Sequence, residues 1–129
     1  VFEGDADFRG AKFTRNSWFD QVQFNADALF SLASFHDRAR FSEVQVKGRS
    51  EFTKAHFYRD AVFADASLSG QASFVDSVFD LAVVFDNTTF SDGGWFSGAT
   101  FSKQHPLVWP KGHVFDPDAK LLVQSVSAE

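Results

Sequence analysis

Four histidines, at positions 36, 56, 105 and 113, and a plentiful supply of Ser and Asp are the side chains of this 129-residue chain suited to acid–base, nucleophilic or metal chemistry. Their spacing supports none of it. The histidines are not set at the short intervals from which zinc ligands converge. Ser and Asp recur everywhere, so a Ser-His-Asp grouping carries no information without geometry. The absence of cysteine rules out disulfides, thiolate metal sites and cysteine nucleophiles. No phosphate-cradling glycine loop is present, and Asp92-Gly93-Gly94 reads as a turn. The glycine-rich nonapeptide of calcium-binding β-rolls is missing too. No catalytic, cofactor-binding or metal-ligating residue is assigned, and the chain is expected to be no enzyme and to need no cofactor.

What the residues do share is a position in a lattice. Of the 22 aromatic residues 18 are phenylalanine, and 17 of these stand at 2, 8, 13, 19, 24, 30, 35, 41, 52, 57, 63, 74, 79, 85, 90, 96 and 101. The gaps alternate between six and five residues, and Val46 and Leu68 fill the two positions where Phe is missing. Repeats of this kind outrank any local reading of secondary structure. Two residues before nearly every lattice position stands a small residue: Ala6, Ala11, Ser17, Ala28, Ala33, Ala39, Ser50, Ala55, Ala61, Ala66, Ala72, Ser77, Gly94 and Ala99, with Val or Thr at 22, 44, 83 and 88. The expected core is therefore Phe8, Phe13, Phe19, Phe24, Phe30, Phe35, Phe41, Val46, Phe52, Phe57, Phe63, Leu68, Phe74, Phe79, Phe85, Phe90, Phe96 and Phe101.

An 11-residue period also suits a right-handed coiled coil. On a helix, however, two Phe six residues apart point roughly 120° from each other at about 100° per residue, so no apolar stripe forms. The intervening Gly, Asp, Asn, Ser and Thr favour turns. Period two fits: small-x-Phe places the small residue and the ring on one face of a short strand and the middle residue on the other. Strands of three residues gain stability only by stacking coil upon coil at about 4.8 Å.

Ala6-Asp7-Phe8-Arg9-Gly10 and Ala11-Lys12-Phe13-Thr14-Arg15 carry the unit of the pentapeptide-repeat family: small residue, polar residue, central Leu or Phe, two turn residues. The chain resembles that family over residues 2 to 103. The resemblance implies a right-handed quadrilateral β-helix with four faces per coil. Two departures stand out. Phe has almost replaced Leu, and one residue is inserted after every second pentapeptide, at Asn16, Asp27, Arg38, Arg49, Asp60, Gln71, Ala82 and Gly93. The expectation is an all-β solenoid of about 22 residues per coil and four to five coils, with a flattened two-sided coil of 11 residues as the alternative. Stacking at 22 makes Val46 and Leu68 neighbours in one column with Phe2, Phe24 and Phe90, where they offset each other's volume.

Residues 1–103 are read as the solenoid and 104–129 as a capping segment. Pro106, Pro110 and Pro117 cannot donate ladder hydrogen bonds and are expected to end the stacking. Leu107, Val108, Trp109 and Phe115 suit a lid over the last coil. Asp116-Pro117-Asp118 before Ala-Lys-Leu-Leu reads as the start of a short helix. The N-terminal edge shows no such lid and is expected either to continue into further coils or to pair with a second copy as a homodimer.

Function then falls to the outward residues. Trp18, Arg40, Val62 and Val84 form the most apolar face, beside a corner bearing Asp20, Glu43, Asp65 and Asp86. This face is either a docking surface or simply β-branched strand exterior. The outward Thr89 and Thr100 fall on different faces, which excludes a threonine rank of the ice-binding kind. The net charge of −5 disfavours a nucleic-acid partner. No apolar run approaches the roughly 20 residues of a membrane span, and Val1-Phe2-Glu3-Gly4-Asp5 is neither basic nor signal-like. Between Arg59 and Lys103 there are six Asp and no Lys or Arg. The resemblance implies a non-catalytic scaffold or protein-interaction module, bacterial and cytoplasmic, with a protein partner of unknown identity. As an alternative it implies an acidic rod that mimics DNA and binds a type II topoisomerase such as DNA gyrase.

Overall fold

Small-x-Phe units stack because each coil offers the next an unbroken row of backbone groups and an identical interior. In the computed structural model, residues 1–110 and the backbone strands His113–Asp116 and Leu121–Gln124 are described. The described residues are all-β, in four sheets built of parallel two-residue strands whose partners are 22 residues apart up to Phe101. Val83 pairs with Leu107, and one sheet also takes in two antiparallel four-residue strands. The coil is thus four-sided and its period is 22, with about five coils.

Face one stacks Ala6–Asp7, Ala28–Leu29, Ser50–Glu51, Ala72–Ser73 and Gly94–Trp95. Face two stacks Lys12–Phe13, Ser34–Phe35, His56–Phe57, Val78–Phe79 and Thr100–Phe101. Face three carries Ser17–Trp18, Ala39–Arg40, Ala61–Val62, Val83–Val84 and Leu107–Val108. Face four carries Gln23–Phe24, Gln45–Val46, Ser67–Leu68 and Thr89–Phe90, with Phe2 bridged to Phe24 at its open edge.

The interior is a set of ring columns. Phe8, Phe30, Phe52, Phe74 and Phe96 stack with centroids 5.0 Å apart. Phe13, Phe35, Phe57, Phe79 and Phe101 form a second column, and Phe19, Phe41, Phe63 and Phe85 a third. Within a layer the rings meet edge to face, as Phe52 and Phe63 do at 5.5 Å and 90°. Such pairs add about 0.5–1.5 kcal/mol beyond burial. The fourth column runs Phe24, Val46, Leu68, Phe90, so the two substitutes are indeed stacked neighbours. Mid-stack rings are fully buried, whereas Phe8, Phe13 and Phe19 at the N-terminal end are half-buried and Phe2 is 38% exposed.

Two corner types separate the faces. At every two-residue corner the residue after the turn donates to the preceding Phe carbonyl, as Ala55 N to Phe52 O at 3.0 Å. The third turn residue is left-handed at Gly10, Gln21, Leu32, Glu43, Lys54, Asp65, Asp76, Asn87 and Gly98. A closed four-residue turn with positive φ at its third residue is type II, where glycine is favoured. Seven non-glycine residues occupy it here because the ladders on both sides hold the corner in place. At the three-residue corners the backbones nearly touch: a Cβ on Gly70 would strike the Gly48 carbonyl.

Stacking runs past Lys103. Val83 N donates to Pro106 O at 3.1 Å and Phe85 N to Val108 O at 2.8 Å. The expectation that Pro106 ends the ladder is corrected for a simple reason. Residues at that position, such as Arg38 and Ala82, enter this ladder through their carbonyls, so a missing N–H costs no backbone bond of the ladder. Trp109 then lies flat against Phe85 at 5.6 Å and prolongs the third ring column. Leu107 and Trp109 pack on the core, as expected of lid residues, while Val108 faces outward. In place of the helix expected from Asp116, His113–Asp116 and Leu121–Gln124 form an antiparallel hairpin, and Leu121–Leu122 pairs with Gly94–Trp95. That hairpin supplies partners to the last strand of face one, which a helix could not. Residues 117–120 of the expected helix lie outside the described residues, as does the side chain of Phe115. Among the described residues there is no helix long and apolar enough to cross a membrane.

Candidate interaction surfaces

The residues singled out on face three form one continuous outward row. Trp18, Arg40, Val62, Val84 and Val108 are register partners in succession. Trp18 is 56% exposed and the two inner valines are half-buried. Arg40 lies over the Trp18 ring at 5.1 Å and pairs with Asp20 at 3.0 Å, which holds both side chains against the sheet.

The four corner acids do not form one column. Glu43 and Asp65 are the left-handed residues of their turns, whereas Asp20 sits one position earlier, as Asp86 does. Three of the carboxylates are engaged: Asp20 accepts from Ser42 N, Glu43 from the Gln21 amide and Asp65 from the Asn87 amide. These turn acids link adjacent coils, and Asp20 caps a backbone N–H of the next one. At the next corner, between faces four and one, Asp27 accepts from Arg49 N at 2.8 Å and from the Arg49 guanidinium, itself paired with Glu51. These contacts, the backbone N–H first, hold the Asp27 carboxyl below the usual range. At the first coil the Arg9 guanidinium lowers Asp7 to about 2.

A second surface was not legible as a site in one dimension. The three-residue corner between faces two and three encloses an open cavity of about 340 Å³ lined by Asn16, His36, Asp37, Arg38, Arg59, Asp60 and Leu81. Beside it the rings of His36 and His56 both stack on Tyr58, at 4.5 and 3.7 Å, and His56 Nε2 lies 2.9 Å from Asp80. His36, Tyr58 and Asp80 share one column, 22 residues apart; the signal emerges once the corner residues are aligned on the coil. The remaining described histidine, His105, meets the Ser102 hydroxyl at 2.8 Å on an exposed loop. Among the described residues no cluster of three or more His, Asp or Glu is arranged to hold a metal.

Comparison with known proteins agrees with this geometry. Residues 19–67 and 30–78 each match the family model described as Pentapeptide repeats (9 copies). Residues 19–78 are thus pentapeptide repeats, and the same four-sided coils of small-x-Phe units run on either side of that span. No curated protein and no solved structure matches the chain.

Proposed function

We propose that this protein is a non-catalytic interaction scaffold whose rigid stack presents side chains to a protein partner along face three. The observation carrying this reading is the unbroken outward row from Trp18 to Val108, in which an exposed aromatic held by Arg40 adjoins three valines. Aromatic and Arg side chains on a rigid support are the usual anchors of protein interfaces. A photo-crosslinking residue at Val84 should give a discrete adduct in the cells of origin that Trp18→Ala abolishes. The same residue at Gln45 on face four should give none. Equal labelling from both faces would remove the proposal.

A second reading, an acidic rod directed at a type II topoisomerase, draws support from the coils between Arg59 and Lys103, where Asp is the only charged residue type. Gyrase supercoiling that is unaffected by micromolar protein would remove it.

A further inference from the structure

We infer that the corner between faces two and three is a binding site for an acidic peptide segment. The inference rests on the interaction-scaffold reading but concerns a different surface. Its first ground is the distribution of cations. Arg9, Arg40 and Arg49 each have a carboxylate within ion-pair distance. Arg15, Arg38 and Arg59 have none among the described residues, and all three lie at this corner in successive coils. Arg38 and Arg59 are exposed and line the cavity, and Arg15, exposed too, lies one coil below. Unpaired guanidiniums that share one concavity are a receptor for carboxylates, which they grip in bidentate fashion.

The second ground is the shape and chemistry of the cavity. Its volume of about 340 Å³ and its open mouth suit a few side chains of an extended chain. Asp37 and Asp60 also line it. A bare oxyanion would meet them unfavourably, whereas a peptide brings backbone N–H groups that can donate to them while its Glu or Asp side chains engage Arg38 and Arg59. The Asn16 amide, whose oxygen accepts from Arg38 N, is fixed at one end of the cavity. His36, leaning on Tyr58, forms an aromatic wall. The mixture of donors and acceptors thus selects a polypeptide over phosphate.

The test is fluorescence anisotropy of a labelled peptide of alternating Glu and Gly titrated with the intact protein. Binding should weaken with salt, as a charge-assisted contact does. The Arg38→Gln/Arg59→Gln protein should lose about tenfold or more in affinity with an unchanged circular dichroism spectrum. A Lys47→Gln/Lys54→Gln protein, with the same change in net charge at other corners, should bind as before. Four outcomes overturn the inference: no binding; equal loss from both double variants; displacement by inorganic phosphate at matched ionic strength; or single-stranded DNA binding as tightly through the same arginines. Survival of the Val84 crosslink in the Arg38→Gln/Arg59→Gln protein separates failure here from failure of the scaffold reading.

Discussion

A mid-stack ring in the three all-Phe columns touches a ring above, a ring below and neighbours edge to face, so the loss of one leaves a void that the layers cannot close. Phe63, 1% exposed, stacks on Phe41 at 4.9 Å and Phe85 at 5.2 Å. Phe63→Ala should cost about 3–5 kcal/mol in urea unfolding. Gln45→Ala, on the exterior of face four, should cost under about 0.5 kcal/mol. The small positions have a separate logic, because mid-stack they are buried beside the rings and any hydroxyl there can find a partner only inside the stack. Ser77 and Thr88 satisfy their hydroxyls on the carbonyls of Phe74 and Phe63. Ser50 is 1% exposed in a column of alanines, and its hydroxyl has no partner. A buried hydroxyl without a hydrogen bond costs about 1–3 kcal/mol. Ser50→Ala should therefore stabilise the fold, by about 1 kcal/mol, and an unchanged or lower urea midpoint would contradict the buried, unpaired placement.

At the scale of the corner and the strand, the energetics turn on backbone conformation and on what caps the next coil. Leu32 has a φ of 63° and is 62% exposed, so it gains little from burial while adopting a left-handed geometry. Leu32→Gly relieves a strain of about 1–2 kcal/mol but makes the unfolded chain freer. The net should be a gain of about 0.5 kcal/mol, read as a higher melting midpoint. Asp27 tests the capping contacts. Its carboxyl is depressed by the Arg49 N–H and guanidinium, so its contribution is complete above the ordinary carboxylate value near 3.9 and vanishes as pH falls through the lower folded value. Asp27→Asn should lower the urea midpoint at pH 6. The gap from the native protein should close as the pH drops below 4, and should narrow with added salt because Asp27 is partly exposed. None of this corner chemistry was visible in the lattice alone: Gly occupies only Gly10 and Gly98 of the nine left-handed positions in the two-residue corners. A reader looking for turn glycines finds the first and the last and misses the seven between.

For the whole molecule, contacts run only between adjacent coils, so stability should scale with coil number. Removal of residues 42–63, one complete coil, keeps every later residue on its own face. That protein should retain its β circular dichroism spectrum with a smaller urea m-value, since less surface is exposed on unfolding. Removal of five residues instead would bring two corners of unlike length out of alternation and should abolish the cooperative transition. Loss of cooperativity in both would contradict a 22-residue building block.

Sequence alone determined the interior, because a ring every five or six residues with a small residue two positions before it admits one alternating backbone and leaves one set of side chains to bury. The four-sided coil came from the family resemblance, with a two-sided one as the alternative, and stacking at 22 put Val46 beside Leu68. Tertiary structure decided what lies outside. Which corner residues meet depends on coil closure, and Asp20, Glu43, Asp65 and Asp86 divide between two columns, the first three engaged by a neighbour, rather than forming one bare acidic line. His36 comes onto the Tyr58 ring, and Arg38 and Arg59 come to share a cavity, only because residues some 22 positions apart are stacked neighbours. The passage of Pro106 into the ladder, and of Trp109 onto the Phe85 column, depends likewise on which backbone groups face the preceding coil. Burial is set by composition along the chain, whereas contact between exposed polar groups is set by distance in space, and a pattern of residue types encodes only the first.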